Sequence, residues 1–276
     1  MIGVLFMPIP VALQLYTVRR EMEKDFEGTL KKVKEMGYSG VEFAGLYGKD
    51  PAYIRKLLSE LGLIAVSAHV PLNELIEQCQ KTLNDYKEIG MEYIAVPYLD
   101  EKRRPGQSDF QITMGYIAAI GNAAKSKGMT LLYHNHDFEF VKIGDKYGLD
   151  VMYDTIPKDL LETELDVCWV HVATGDPVGY VNKYAGRAPI VHLKDYAGTK
   201  SDAMYELIGI DKKVDDTGEF EFRPLGRGKV DIAGVMKACE GAGTKWVVVE
   251  QDRPSLGLTP LECAKASREY LKELGY

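Results

Sequence analysis

Five histidines and a set of carboxylates carry the chemistry this chain can do. His69, His134, His136 and His192 stand at the ends of short apolar runs, and His171 lies just past one. The run ends also carry Gln14 and Tyr16, Glu42, the triplet His134-Asn135-His136, and Glu164-Leu165-Asp166. Lys194 and Asp195 follow His192, and the last run closes in Glu250-Gln251-Asp252. Imidazole together with carboxylate is a donor set for a divalent transition metal. The same groups exchange protons near neutral pH. Taken singly, each has a plain structural role. His69 would be a hydrogen-bonded structural residue, Glu42 or Asp166 a helix-cap partner, Glu250 a partner of Arg253, Lys194 a solvated cation, and His171 structural. Their shared location at six run ends is what points to a site.

An alternation of strands and helices would gather those ends. VALQLYT (11–17) reads as a buried strand. KDFEGTLKKVKEMG (24–37) places Phe26, Leu30, Val33 and Met36 at helical spacing and stops at a glycine. Further strands are expected at 40–45, 63–70, 93–98, 129–136, 160–167, 188–195 and 245–252. Helices are expected at 50–62, 73–89, 109–127, 148–156, 176–186, 231–240 and 259–273. Eight strand–helix units with no composition break predict an α/β protein, one single (β/α)8 TIM barrel over 1–276. The competing open sheet lacks support: no GxGxxG follows the first strand, and there is no Walker loop. In a barrel, the C-terminal strand ends share one face. The polar stretch 196–229 exceeds a simple connection and is expected to be a lid or substrate loop.

Composition narrows the class. With 34 basic and 41 acidic residues, the 276-residue chain has a net charge of −7, which offers nucleic acid no basic face. Hydrophobic residues at 46% and charged residues at 27% describe a folded globular chain. Cys79, Cys168, Cys239 and Cys263 form no CxxC pair and are expected to be free thiols. The start, MIGVLFMPIPVALQLY, is broken by Pro8 and Pro10 and follows no basic stretch. It therefore predicts neither signal peptide nor membrane span, and a cytoplasmic location is expected.

LLYHNHDFEF (131–140), ELDVCWV (164–170), DPVGYVNKYAGRAPIVHLKD (176–195), LGRGKVD (225–231) and VVVEQD (247–252) together resemble the xylose-isomerase-like barrels. That family spans sugar phosphate isomerases and epimerases and also contains endonuclease IV. The resemblance covers nearly the whole chain and is nearest to a subgroup with YHNH on the fifth strand. It implies one divalent metal, Mn, Co, Zn or Mg, held by His134, Asp166, His192 and Glu250. His134 departs from the family pattern, which has Glu there, and so interrupts the two-carboxylate proton shuttle of a 3-epimerase. His136 matches a catalytic base of relatives that perform eliminations on keto-sugars, and Glu139 is a second candidate acid or base. Position 169 is Trp where the endonuclease branch has another histidine, which argues against DNA repair.

The implied activity is metal-dependent isomerisation or epimerisation of a sugar or keto-sugar through an enediolate. Glu250 or His136 would be the base, with Lys194 stabilising negative charge. Gln14, Glu42, His69, Trp169 and Arg227 are expected to bind the substrate, from their places at strand ends or in the LGRG loop. Two alternatives stand beside this reading. One is a lyase acting on a keto-inositol or 3-keto-glycoside; the other is a non-catalytic sugar-binding barrel. The expected partner is a small carbohydrate, with no nucleic acid and no membrane, and a homo-oligomer is left open. No phosphate-binding glycine loop stands out.

Overall fold

Short strands buried on both faces need Val, Ile, Leu and Ala at nearly every position, and this chain supplies eight of them. The computed structural model describes residues 8–201, 204–205, 207 and 220–276. The strands are β1 (Val11–Gln14), β2 (Gly40–Ala44), β3 (Ile64–His69), β4 (Tyr93–Val96), β5 (Thr130–His134), β6 (Glu162–Asp166), β7 (Ile190–Leu193) and β8 (Trp246–Val249). Each pairs in parallel with its sequence neighbours, and β1 pairs with β8, so the sheet closes as the expected (β/α)8 barrel. Helices return the chain between strands. Pro51–Leu61 shows how one is delimited: the Asp50 side chain accepts from the Ala52 and Tyr53 N–H groups, and Gly62 ends it in the left-handed region.

Strand alternation builds two cores. Val11 and Leu13, or Val247 and Val249, face the helices and join the main core. Ala12, Val66, Ala95, Leu132, Ile190 and Val248 form a separate apolar cluster that plugs the barrel interior. One pleat further along the same inner face stand Gln14, His134, His192 and Glu250. The interior thus turns from apolar to ionisable within two residues. A register shift between Val41 and Glu42 lies beside this layer on β2.

Several expected boundaries move. β1 stops at Gln14 because its side chain accepts from the Tyr16 N–H and turns the chain into a 3-10 helix, Leu15–Val18. β5 stops at His134, so His136 lies past the strand. β6 stops at Asp166, whose side chain accepts from the Trp169 N–H and starts a helix, Val167–Thr174. That helix is nearly apolar all round and gives no periodic signal. Within 196–229, Asp195–Gly198 pairs antiparallel with Phe220–Arg223. The remainder of that stretch lies outside the described residues, apart from positions 199–201, 204–205, 207 and 224–229. Among the described residues, no helix is long and apolar enough to cross a membrane.

Candidate active site

The ionisable layer lies at the C-terminal ends of the strands, below an open cavity of about 260 Å³. His69, His134, His136, Lys194 and Glu250 line that cavity, together with Tyr16, Tyr98 and Leu207.

One group of donors sits at the mouth. Ligand atoms of His134, Asp166, His192 and Glu250 all lie within 4.8 Å of one another, and all four residues are buried. His192 Nδ1 is 3.0 Å from Glu250 Oε2, and His134 Nε2 is 3.6 Å from Asp166 Oδ2. Asp166 divides its work: Oδ1 caps the helix at Trp169, while buried Oδ2 accepts no hydrogen bond among the described residues. A carboxylate oxygen without a hydrogen bond, beside two imidazoles and a second carboxylate, suits a divalent cation.

Lys194 crosses the same space. Its Nζ lies 2.9 Å from Glu250, 3.2 Å from Asp252 and 3.4 Å from Asp166. Burial alone would lower the amine's pKa, but Asp252, Glu250 and Asp166 raise it well above its ordinary value, so it stays an ammonium. Glu250 in turn is held well below the usual carboxylate range: burial opposes this, and Lys194 and His192 outweigh it.

His136 is the neutral partner in the wall. Burial pushes its imidazole well below the usual histidine value, with His134 and Lys194 adding to the effect. Its ring lies flat between Phe138 at 4.9 Å and Trp169 at 5.3 Å, centre to centre. Trp169 is also 5.4 Å from Lys194 Nζ, so one indole holds both groups in place. Tyr205 leans on the same His136–Trp169 pair and donates to Asp137 at 2.5 Å.

Beneath the mouth lies a second layer. Glu42 accepts from Gln14 Nε2 at 2.6 Å and from Ser67 Oγ, and stands 2.8 Å from His192 Nε2. Glu164 Oε2 touches His69 at 2.6 Å, His134 at 3.2 Å and His192 at 3.3 Å. Burial pushes His134 down to about 4.

Residues 30–274 match the sequence model of the xylose isomerase-like TIM barrel. The chain belongs to that family. The inosose dehydratase of Clostridium beijerinckii is 24% identical to this chain over 91% of it and 90% of that protein. A sugar phosphate isomerase/epimerase from Parabacteroides distasonis superposes with a TM-score of 0.78 at 22% identity, covering 96% of this chain and 98% of that one. The IOLI protein, solved with a zinc atom, superposes with a TM-score of 0.72 at 15% identity, over 96% and 98% of the two chains. Both likenesses concern the fold.

The structure sorts the residues singled out from sequence. His69, His134, His136, Lys194 and Glu250 reach the cavity, with Asp166 and His192 packed directly behind. Trp169 is fully buried behind His136 and supports it. Gln14 and Glu42, expected to bind substrate, are fully buried: Gln14 donates to Glu42, and Glu42 stands beside His192. Glu139 is also off the cavity wall; it accepts from Tyr133 Oη at 2.5 Å and from the His136 N–H at 2.7 Å, and so pins the turn that follows β5. Arg227 is exposed on the Pro224–Gly228 turn. Sequence reasoning passed over Glu164 as a site residue, although its two-residue offset from Asp166 puts both on one strand face.

Proposed function

We propose that this barrel is a metal-dependent carbohydrate lyase that removes water from a keto-polyol. The observation that carries the reading is His136: a buried, neutral imidazole on the cavity wall, sharing Trp169 with the Lys194 ammonium. His134, Asp166, His192 and Glu250 would hold the cation, which when bound supplies Lewis-acid polarisation of the substrate carbonyl. The chain's own groups do the rest. His136 takes the proton from the carbon next to the carbonyl. Lys194 offsets the negative charge that develops there. The hydroxyl on the next carbon departs and carries the proton from His136 away as water, leaving a carbon–carbon double bond conjugated to the ketone. The inosose dehydratases among the relatives support this choice.

Isomerisation or epimerisation, the leading expectation from sequence, shares the first step but needs a proton returned from another direction. The other acids lining the cavity, Glu250 and Asp252, are both paired with Lys194, which favours elimination.

Keto-inositols, keto-sugars and 3-keto-glycosides incubated with metal-loaded protein in heavy water test the reading. We expect loss of the α-proton together with the absorbance of an unsaturated ketone. His136→Asn should cut that rate by about 10²–10⁴-fold and leave metal content unchanged. A product with an inverted centre and no unsaturation would replace the lyase by an epimerase. No exchange with any compound would leave a binding barrel.

A further inference from the structure

The layer beneath the mouth has the form of a metal site in its own right. Four contacts close a ring across the barrel: His69 Nε2–Glu42 Oε1 at 3.2 Å, Glu42 Oε1–His192 Nε2 at 2.8 Å, His192 Nε2–Glu164 Oε2 at 3.3 Å, and Glu164 Oε2–His69 Nε2 at 2.6 Å. Nitrogen and oxygen alternate around it. Adjacent donors on a four-coordinate zinc are roughly 3.3 Å apart, given bonds of about 2.0–2.1 Å. Glu42, Glu164 and His192 have no solvent exposure and His69 has 2%.

Hydrogen bonding alone does not satisfy this ring. His192 faces carboxylates with both nitrogens, Glu250 at Nδ1 and Glu42 at Nε2. Despite its 2.8 Å contact, Nε2 makes no hydrogen bond, and the buried Glu164 Oε1 has no partner among the described residues either. Two carboxylates here lie beside an apolar plug, where a buried charge needs a counter-charge. A divalent cation at the centre would neutralise both. Gln14 and Ser67 already hold Glu42 in position, as outer partners of metal ligands do. His69 and His134 line the open cavity, so a path from solvent leads to the ring.

We propose that the barrel carries a second metal position below the mouth, with Glu42, His69, Glu164 and His192 Nε2 as its ligands. Two imidazoles with two carboxylates suit Zn or Co. At the mouth His192 faces Glu250 with its other nitrogen, so the deeper position is read out once the mouth is disabled.

The test is Co(II) titration of chelator-stripped protein, followed by visible spectroscopy and metal analysis, with no substrate involved. The double variant Asp166→Asn, Glu250→Gln should still take up one equivalent of Co(II). Adding Glu164→Gln, or separately His69→Gln, should weaken that binding by at least about a hundredfold. A folded mouth-disabled variant that binds no Co(II) overturns the proposal. So does binding that neither further substitution changes, since imidazolium–carboxylate pairs would then account for the ring. If the double variant proves unstable, Asp166→Asn alone carries the same comparison. Failure here leaves the lyase reading intact, and a failed substrate screen leaves this one intact.

Discussion

At the scale of single residues, burial sets protonation. Glu139 is fully buried, and burial pushes its carboxyl from about 4.5 up to about 8, against the opposing hydrogen bonds from Tyr133 and the His136 N–H. The fold therefore disfavours the ionised form. Its favourable contribution is complete below about pH 4.5 and is lost as pH rises through about 8, on the order of 4 kcal/mol in all. Glu139→Gln retains an acceptor for the His136 N–H and an N–H for the Tyr133 oxygen. Thermal melts from about pH 5 to about pH 9 should show wild-type stability falling across the range relative to the variant. Parallel curves would mean that the buried carboxyl is not responsible.

Among elements, the LGRG turn matters through what it is tied to. Asp195, just past β7, accepts from the N–H groups of Tyr196, Gly226, Gly228 and Val230, at 2.8, 3.1, 2.8 and 3.1 Å. It binds the start of the 195–198 hairpin strand to the turn that follows its partner. A Cβ at Gly228 would fall 2.1 Å from Asp195 Oδ1, so only glycine allows this approach. Asp195→Ala strands four donors, two of them buried, and should cost on the order of 3 kcal/mol by denaturant unfolding. Hydrogen exchange should quicken first at Gly226, Gly228 and Val230. Unchanged protection there would remove Asp195 as the anchor. The turn's glycines are visible in sequence, and Arg227, expected to bind the substrate, stands exposed between them.

For the whole molecule, closure of the barrel joins the chain's two ends. The last helix, Pro260–Glu273, packs against the turn before β2. There Arg268 Nε donates to the Gly37 carbonyl at 2.9 Å, and Tyr38 Oη donates to the Ala264 carbonyl at 2.8 Å. Arg268 Nη1 also holds the Tyr276 carbonyl at 2.9 Å. Because β1 pairs with β8 along this seam, loosening it opens the entire barrel. Arg268→Ala should cost about 2–3 kcal/mol in one cooperative transition, with far-UV and tryptophan signals coincident. Separated transitions would show that the seam is a local feature.

The strand–helix alternation, the face each strand end presents and the identity of the donors at that face are legible in the residues alone. These follow from periodicity two, periodicity 3.6 and cap chemistry, all local. The family resemblance brings His134, Asp166, His192 and Glu250 forward together, each matched at a strand end. What each group touches depends on contacts between distant parts of the chain. Gln14 and Glu42 became supports for His192, Glu164 became a hub for three imidazoles, and Glu139 became a turn anchor. Those outcomes depend on register between strands far apart in sequence and on contacts across the closed barrel, which no local pattern encodes.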